Sequence, residues 1–303
     1  MHYTLSLLLL ISSFFAYSKK ENKYSASTIS TRLTKNANTV VRNETVNIAV
    51  KSVEEMKISM NRAVTVLNKR GLASLNLSWS YEPDEKIKKL SVKLFDASGA
   101  FVRNLTNDEI RDMSAYSGAT FHTDTRVISA RVRHTSYPFT VLISYEMESP
   151  NTAFLPLFMP IHSYNQSLEK CSYTISWPEK TKANVAEFNF ENVDKFEIDN
   201  AMTYSLKNIV AVAAENQSPT STDLIPHAKW SLEEFHLAGH TVKATTWNDL
   251  GLWMYSTLLE DGLELPDSTE KQIKTLVENI SNKHERAKIV YEYMQNNTRY
   301  MSV

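Results

Sequence analysis

The amino-acid sequence predicts a mainly β protein: an antiparallel β-sandwich-like domain followed by a short α-helical segment. Two observations carry this expectation. Apolar residues recur at period two from Val46 to about residue 215, as in strands with one buried face. Near residue 247 the period becomes that of an amphipathic helix, and three capped helices follow in a row, which marks a second unit after an all-β region.

The elements are read in chain order. Val46, Ile48 and Val50 alternate with Asn47 and Ala49, and Leu75, Leu77, Trp79 and Tyr81 alternate with Asn76, Ser78 and Ser80. The stretch FDASGAF, residues 95–101, predicts a hairpin turn in which Gly99 takes positive φ. Further strands are predicted where Phe139, Val141, Ile143, Tyr145 and Met147 share one parity, and where Cys171, Tyr173, Ile175 and Trp177 share another. Many such runs separated by turns point to a β-sandwich. Downstream, Leu250, Trp253, Met254, Thr257 and Leu258 line one helical face, opened by a Thr246–Asp249 capping box and stopped near Gly262. A second helix follows Pro266 with Ile273, Leu276, Val277 and Ile280 on one face. A third opens at Asn282 and Glu285 and carries Ala287, Val290, Tyr291 and Met294.

The termini and composition set limits. The run LSLLLLISSFFA is too short to span a bilayer, which takes about 20 apolar residues. It matches the apolar region of a secretory signal, with cleavage expected after Ser18. The expected organisation is a signal peptide at 1–18 and a loosely held polar lead-in at 19–45. A β-sandwich domain follows at 46–246 and a helical segment at 247–303. Such a chain is exported, to the periplasm or beyond the cell, with no integral membrane segment after cleavage. A net charge of −1 without long blocks of one sign excludes a nucleic-acid footprint. A single cysteine excludes an internal disulfide, so the fold rests on its own core.

The candidate chemistry is sparse. The six glycines lie at 71, 99, 118, 239, 251 and 262, too dispersed for a phosphate-binding loop or dinucleotide fingerprint. No serine sits in a nucleophile elbow. Cys171 shares parity with Tyr173 and Ile175, which reads as a core thiol rather than a nucleophile. His236 and His240 are four apart, a spacing that shares a face on a helix or a continuous strand. FHLAGHTV, however, reads as strand, turn, strand with no third ligand. The scattered histidines 122, 134, 162, 227 and 284 indicate nothing singly, and Asp84–Glu85 and Glu233–Glu234 read as solvated surface. Trp79, Trp177 and Trp253 fall on apolar stripes and read as core. The predicted site is therefore empty: no catalytic, cofactor-binding or metal-ligating residue, and no cofactor.

LSVKLFDASGAFVRNLTNDEIRDMS and DTRVISARVRHTSYPFTVLISYEME together resemble the strand–turn–strand and Pro-preceded strand of domain of unknown function 3857. TTWNDLGLWMYSTLLE and RAKIVYEYMQNNTRYMSV resemble the opening helices of a transglutaminase-like, papain-related domain in exported bacterial proteins. The resemblance covers most of residues 45–303. It implies catalysis by a Cys at a helix N-terminus, a His and an Asp. It places that Cys in a Gly-Asp-Cys type motif downstream of Asn-x-Arg-Tyr, which no residue here matches. The expected function is then a non-catalytic accessory or interaction module, lacking the Cys-His-Asp part. Its partner is a protein, a peptide or the missing catalytic domain. The alternative is a complete exported binding or adhesion module whose helices close the sandwich. An enzyme built from the scattered histidines and acids ranks last.

Overall fold

The computed structural model describes residues 22–75, 77–116 and 123–299. The predicted signal segment, Asn76, Gly118, His122 and residues 300–303 lie outside the described residues.

Fifteen strands are defined among the described residues. The first eight are β1 (Thr39–Ser52), β2 (Glu55–Val66), β3 (Ser78–Tyr81), β4 (Lys86–Phe95), β5 (Phe101–Asn104), β6 (Ile110–Ser114), β7 (Arg126–Ala130) and β8 (Phe139–Ser149). They continue as β9 (Gln166–Ser176), β10 (Ala183–Phe188), β11 (Asp194–Ile198), β12 (Ala201–Ile209), β13 (His227–Leu232), β14 (Glu234–Leu237) and β15 (His240–Lys243). One eight-stranded sheet runs β11-β12-β9-β1-β2-β8-β4-β5, antiparallel except for the parallel β1–β9 pair. That pair makes the sheet mixed, which period-two patterning cannot reveal, because parity is the same in either direction.

The alternation in the sequence becomes the burial pattern. Val46 and Ile48, Ile58 and Val64, Val141 and Ile143, and Tyr173 and Ile175 all face one core. Above that face lie the three-stranded sheet β3-β7-β6 and the ribbon β10-β13, which contribute Ala130, Ala228, Trp230 and Leu232 to the same core. The segment between β8 and β9 adds Leu155, Phe158 and Ile161. Trp79 and Trp177 pack against this core as partly buried side chains.

The lead-in is more ordered than its polar composition predicts. β1 begins at Thr39 rather than Val46, and before it a 3₁₀ turn (Ala26–Thr28) and the single-turn helix α1 (Thr31–Thr34) lie on the opposite face of the large sheet. Ile29, Leu33 and Val40 form a second small apolar cluster there. Arg42, 6% exposed, holds the segment down. It pairs with Glu169 at 2.8 Å and donates to the Ser25 carbonyl at 3.1 Å and the Thr28 hydroxyl at 2.7 Å. The predicted 95–101 turn meets the same segment. Gly99 has φ +79, and a Cβ there would sit 2.5 Å from the Ser25 nitrogen, so both conformation and space demand glycine.

Three helices follow: α2 (Trp247–Met254), α3 (Asp267–Val277) and α4 (Lys283–Asn297). The starts of α2 and α4 match the predicted caps, whereas α3 opens at Pro266 without a side-chain cap, so the expected Asp267–Glu270 box does not form. The Asp249 amide donates to the Thr246 hydroxyl at 3.2 Å, and Asn282 Oδ1 accepts from the His284 and Glu285 amides at 2.9 and 3.3 Å. Their apolar faces, however, are not buried. No described residue of α2, α3 or α4 is buried, and Trp247 is 89% exposed. Trp253, expected in the core, is half-buried with His240 at its edge. No helix among the described residues is long and apolar enough to cross a membrane.

Candidate functional site

The residues weighed from the sequence do not converge. Cys171 lies on β9 facing the core, 3% exposed, and burial pushes its thiol up to about 12, with the neighbouring Glu44 carboxylate adding to the shift. A thiol that stays protonated and out of solvent is a poor nucleophile. His236 and His240 sit on the β14–β15 hairpin, where Leu237 pairs with His240 and His236 with Thr241. The two-residue turn at Ala238 and Gly239, both at positive φ, resets the parity and sends the two imidazoles to opposite faces. Among the described residues no three His, Cys, Asp or Glu side chains gather as a metal site would require. Asp84 is exposed, while Glu85 accepts from the Ser149 hydroxyl at 2.7 Å and Glu233 lies 3.8 Å from Lys182.

A buried polar network went unread in the sequence. Glu44 on β1 lies opposite Arg62 on β2, so register alone brings both onto the apolar face. Their side chains, each 3% exposed, pair at 2.7 Å. Arg62 reaches the Gln166 carbonyl oxygen and His162 Nε2, both at 3.3 Å. Gln166 in turn donates to the Thr39 hydroxyl at 3.1 Å and accepts from the His162 amide at 2.9 Å. The Tyr173 hydroxyl donates to Glu44. Burial and the Arg62 charge drive His162 down to about 3, so it stays neutral and accepts from the guanidinium. This network ties β1, β2, β9 and the segment preceding β9 together. One clue was present: Glu44 and Arg62 occupy the parity of Val46, Ile48, Met60 and Val64.

The network has a pH signature. Unfolded, His162 takes a proton near 6.5; folded, it refuses one until about 3. The unfolded state binds more protons across that window, so its contribution to stability is complete above 6.5 and falls as pH drops towards 3. Thermal melts from pH 7.5 to 5.0 are expected to fall more steeply for the natural chain than for His162→Gln. Parallel curves would show that His162 does not carry the effect.

The open cavities lie elsewhere. A cleft of about 710 Å³ runs between the 3₁₀ turn Lys69–Leu75 and the chain leaving β7. Leu72, Leu75, Leu77 and Val132 give it an apolar floor, while Arg131, Arg133 and His134 line its rim. A second depression of about 220 Å³ shares Ser129, Arg131 and Arg133 and adds Arg111 from β6. Arg111 stands opposite Ser129 in the β6–β7 register, which places the two on one face of the ribbon. Next to it Arg103 holds Glu109 through two hydrogen bonds, one of 2.9 Å, keeping that carboxyl near 2.

Comparison with solved structures places the fold. A candidate protease from Parabacteroides distasonis ATCC 8503 superposes with a TM-score of 0.64 at 14% identity, over 86% of this chain and 50% of that one. The chain thus spans about half the length of that protein. An M1 zinc metallopeptidase from Deinococcus radiodurans aligns with a TM-score of 0.29 at 10% identity, covering 79% of this chain and 53% of that one. A candidate nutrient-binding protein from Legionella pneumophila aligns with a TM-score of 0.28 at 7% identity, covering 88% of each. No curated protein matches the chain. The Domain of Unknown Function with a solved structure, DUF3857, matches residues 54–213, from β2 through the strand β12 and over half of the chain, and the protein belongs to the DUF3857 family.

Proposed function

We propose that this chain is a non-catalytic accessory or interaction module of an exported transglutaminase-like protein. Its helical segment opens a further domain, and that domain supplies the catalytic Cys, His and Asp. The observation that carries the reading is the bare apolar surface of α2, α3 and α4. Trp247, Leu252, Met254, Leu276, Tyr291 and Met294 are all exposed, on helices that contribute nothing to the β core. Amphipathic helices hold together chiefly by burying such a stripe, and contiguous apolar patches of this kind mark an interaction surface. The buried, protonated Cys171 supports the non-catalytic half of the proposal.

Amide hydrogen exchange on the purified 303-residue chain tests it. Exchange across residues 247–297 is expected to finish within about a minute, while β1, β2, β8 and β9 stay protected for hours. Protection of the helices equal to that of the sheet would favour a complete module closed by them. Incorporation of a labelled amine into casein by this chain would sink the non-catalytic reading.

A further inference from the structure

We propose that the cleft beside β7, together with the smaller depression that shares Arg131 and Arg133 with it and adds Arg111, binds an acidic peptide segment through these three arginines, independently of what covers the C-terminal helices. Three features point to this ligand. First, the three arginines are exposed, and among the described residues none of their guanidinium groups makes a hydrogen bond or ion pair. Other arginines are neutralised: Arg103 on β5 by Glu109 and Arg126 on β7 by Asp112 at 3.0 Å. Of the two acids lining the smaller depression, Glu109 is already taken, which leaves Asp108 against three positive charges.

Second, the charges are arginines. A guanidinium fork matches a carboxylate in a bidentate fashion and is weakly hydrated, so it gives up water for such a partner more readily than lysine does. Third, the floor is apolar. Leu72, Leu77 and Val132 suit the side chains of a peptide and offer nothing to a bare inorganic anion. Ser129, Arg131 and Arg133 are spaced two apart and line one space. In an extended ligand, carboxylates at alternate residues repeat every ~6.6 Å, the spacing of alternate residues in an extended chain. Nucleic acid would ask for a broad basic surface, which a chain of net charge −1 with dispersed charges does not present.

The experiment is fluorescence anisotropy on the 303-residue chain with a labelled octapeptide of alternating Asp and Leu. Its counterpart has Asn in place of Asp. The Asp peptide is expected to bind saturably and the Asn peptide at least about tenfold more weakly. The double variant Arg131→Gln/Arg133→Gln should lose binding of the Asp peptide by about the same factor, while Arg32→Gln on α1 leaves it unchanged. Because both arginines are exposed, the double variant is expected to melt with the natural chain. Equal binding of the two peptides would overturn the proposal. So would undiminished binding by the double variant. Displacement of the peptide by inorganic phosphate at equal charge concentration would reassign the cleft to a small anion and overturn it as well.

Discussion

Arg62→Met is expected to destabilise the chain by about 3–5 kcal/mol at pH 7, read from urea unfolding. The substitution leaves Glu44, 3% exposed, facing the core without its 2.7 Å partner. The Tyr173 hydroxyl would remain its donor, and one neutral hydrogen bond does not offset the desolvation of a carboxylate. Gln166 and His162 would also each lose the guanidinium that now donates to them. The companion variant Glu44→Leu/Arg62→Met removes both charges and should recover most of the loss, since apolar replacements of a buried pair are often neutral or better. Equal destabilisation by the single and the double variant would show that the unpaired charge is not the cause.

Phe158→Ala should cost a comparable amount, about 3–5 kcal/mol. Phe158 is fully buried and lies between the large sheet and the second layer. Its ring meets Tyr173 edge-on at 5.0 Å and Phe190 at 5.7 Å, and tilts against Tyr204 at 5.3 Å. Its backbone exchanges two hydrogen bonds with Ala228, at 3.0 and 3.1 Å, fastening the segment between β8 and β9 to β13. Truncation leaves a cavity at the centre of an aromatic cluster whose members are held by both layers and cannot close over it. Phe158→Leu, which keeps most of the volume, should lose clearly less. A loss below about 1 kcal/mol for the alanine variant would show that the cluster collapses freely.

What could be read in advance followed from local physics. The strand faces around Val46, Phe139 and Cys171 emerged because one side of the sheet is buried and side chains alternate strictly. The caps at Thr246 and Asn282 and the positive φ of Gly99 depend on groups within about four residues. The same local logic failed in the lead-in. Polar composition made residues 19–45 look loose, because the Glu169 carboxylate that orients Arg42 lies far along the chain, whereas FHLAGHTV read as strand, turn, strand is the hairpin observed.

The sequence by itself therefore determined the period of each element, most starts and stops, the burial of Cys171 and the lack of a glycine-clustered phosphate loop. Only the tertiary structure decided that Glu44 faces Arg62, that His162 is kept neutral, that α2–α4 leave their apolar stripes uncovered, and that Leu72 and Val132 floor one cleft beside the unpaired Arg131 and Arg133. The reason is range. Alternation, capping and turn geometry are energies of neighbours in sequence. Desolvation, ion pairing and clefts depend on register between strands as distant in sequence as those of Arg62 and Gln166, 104 positions apart, and no local pattern encodes that register.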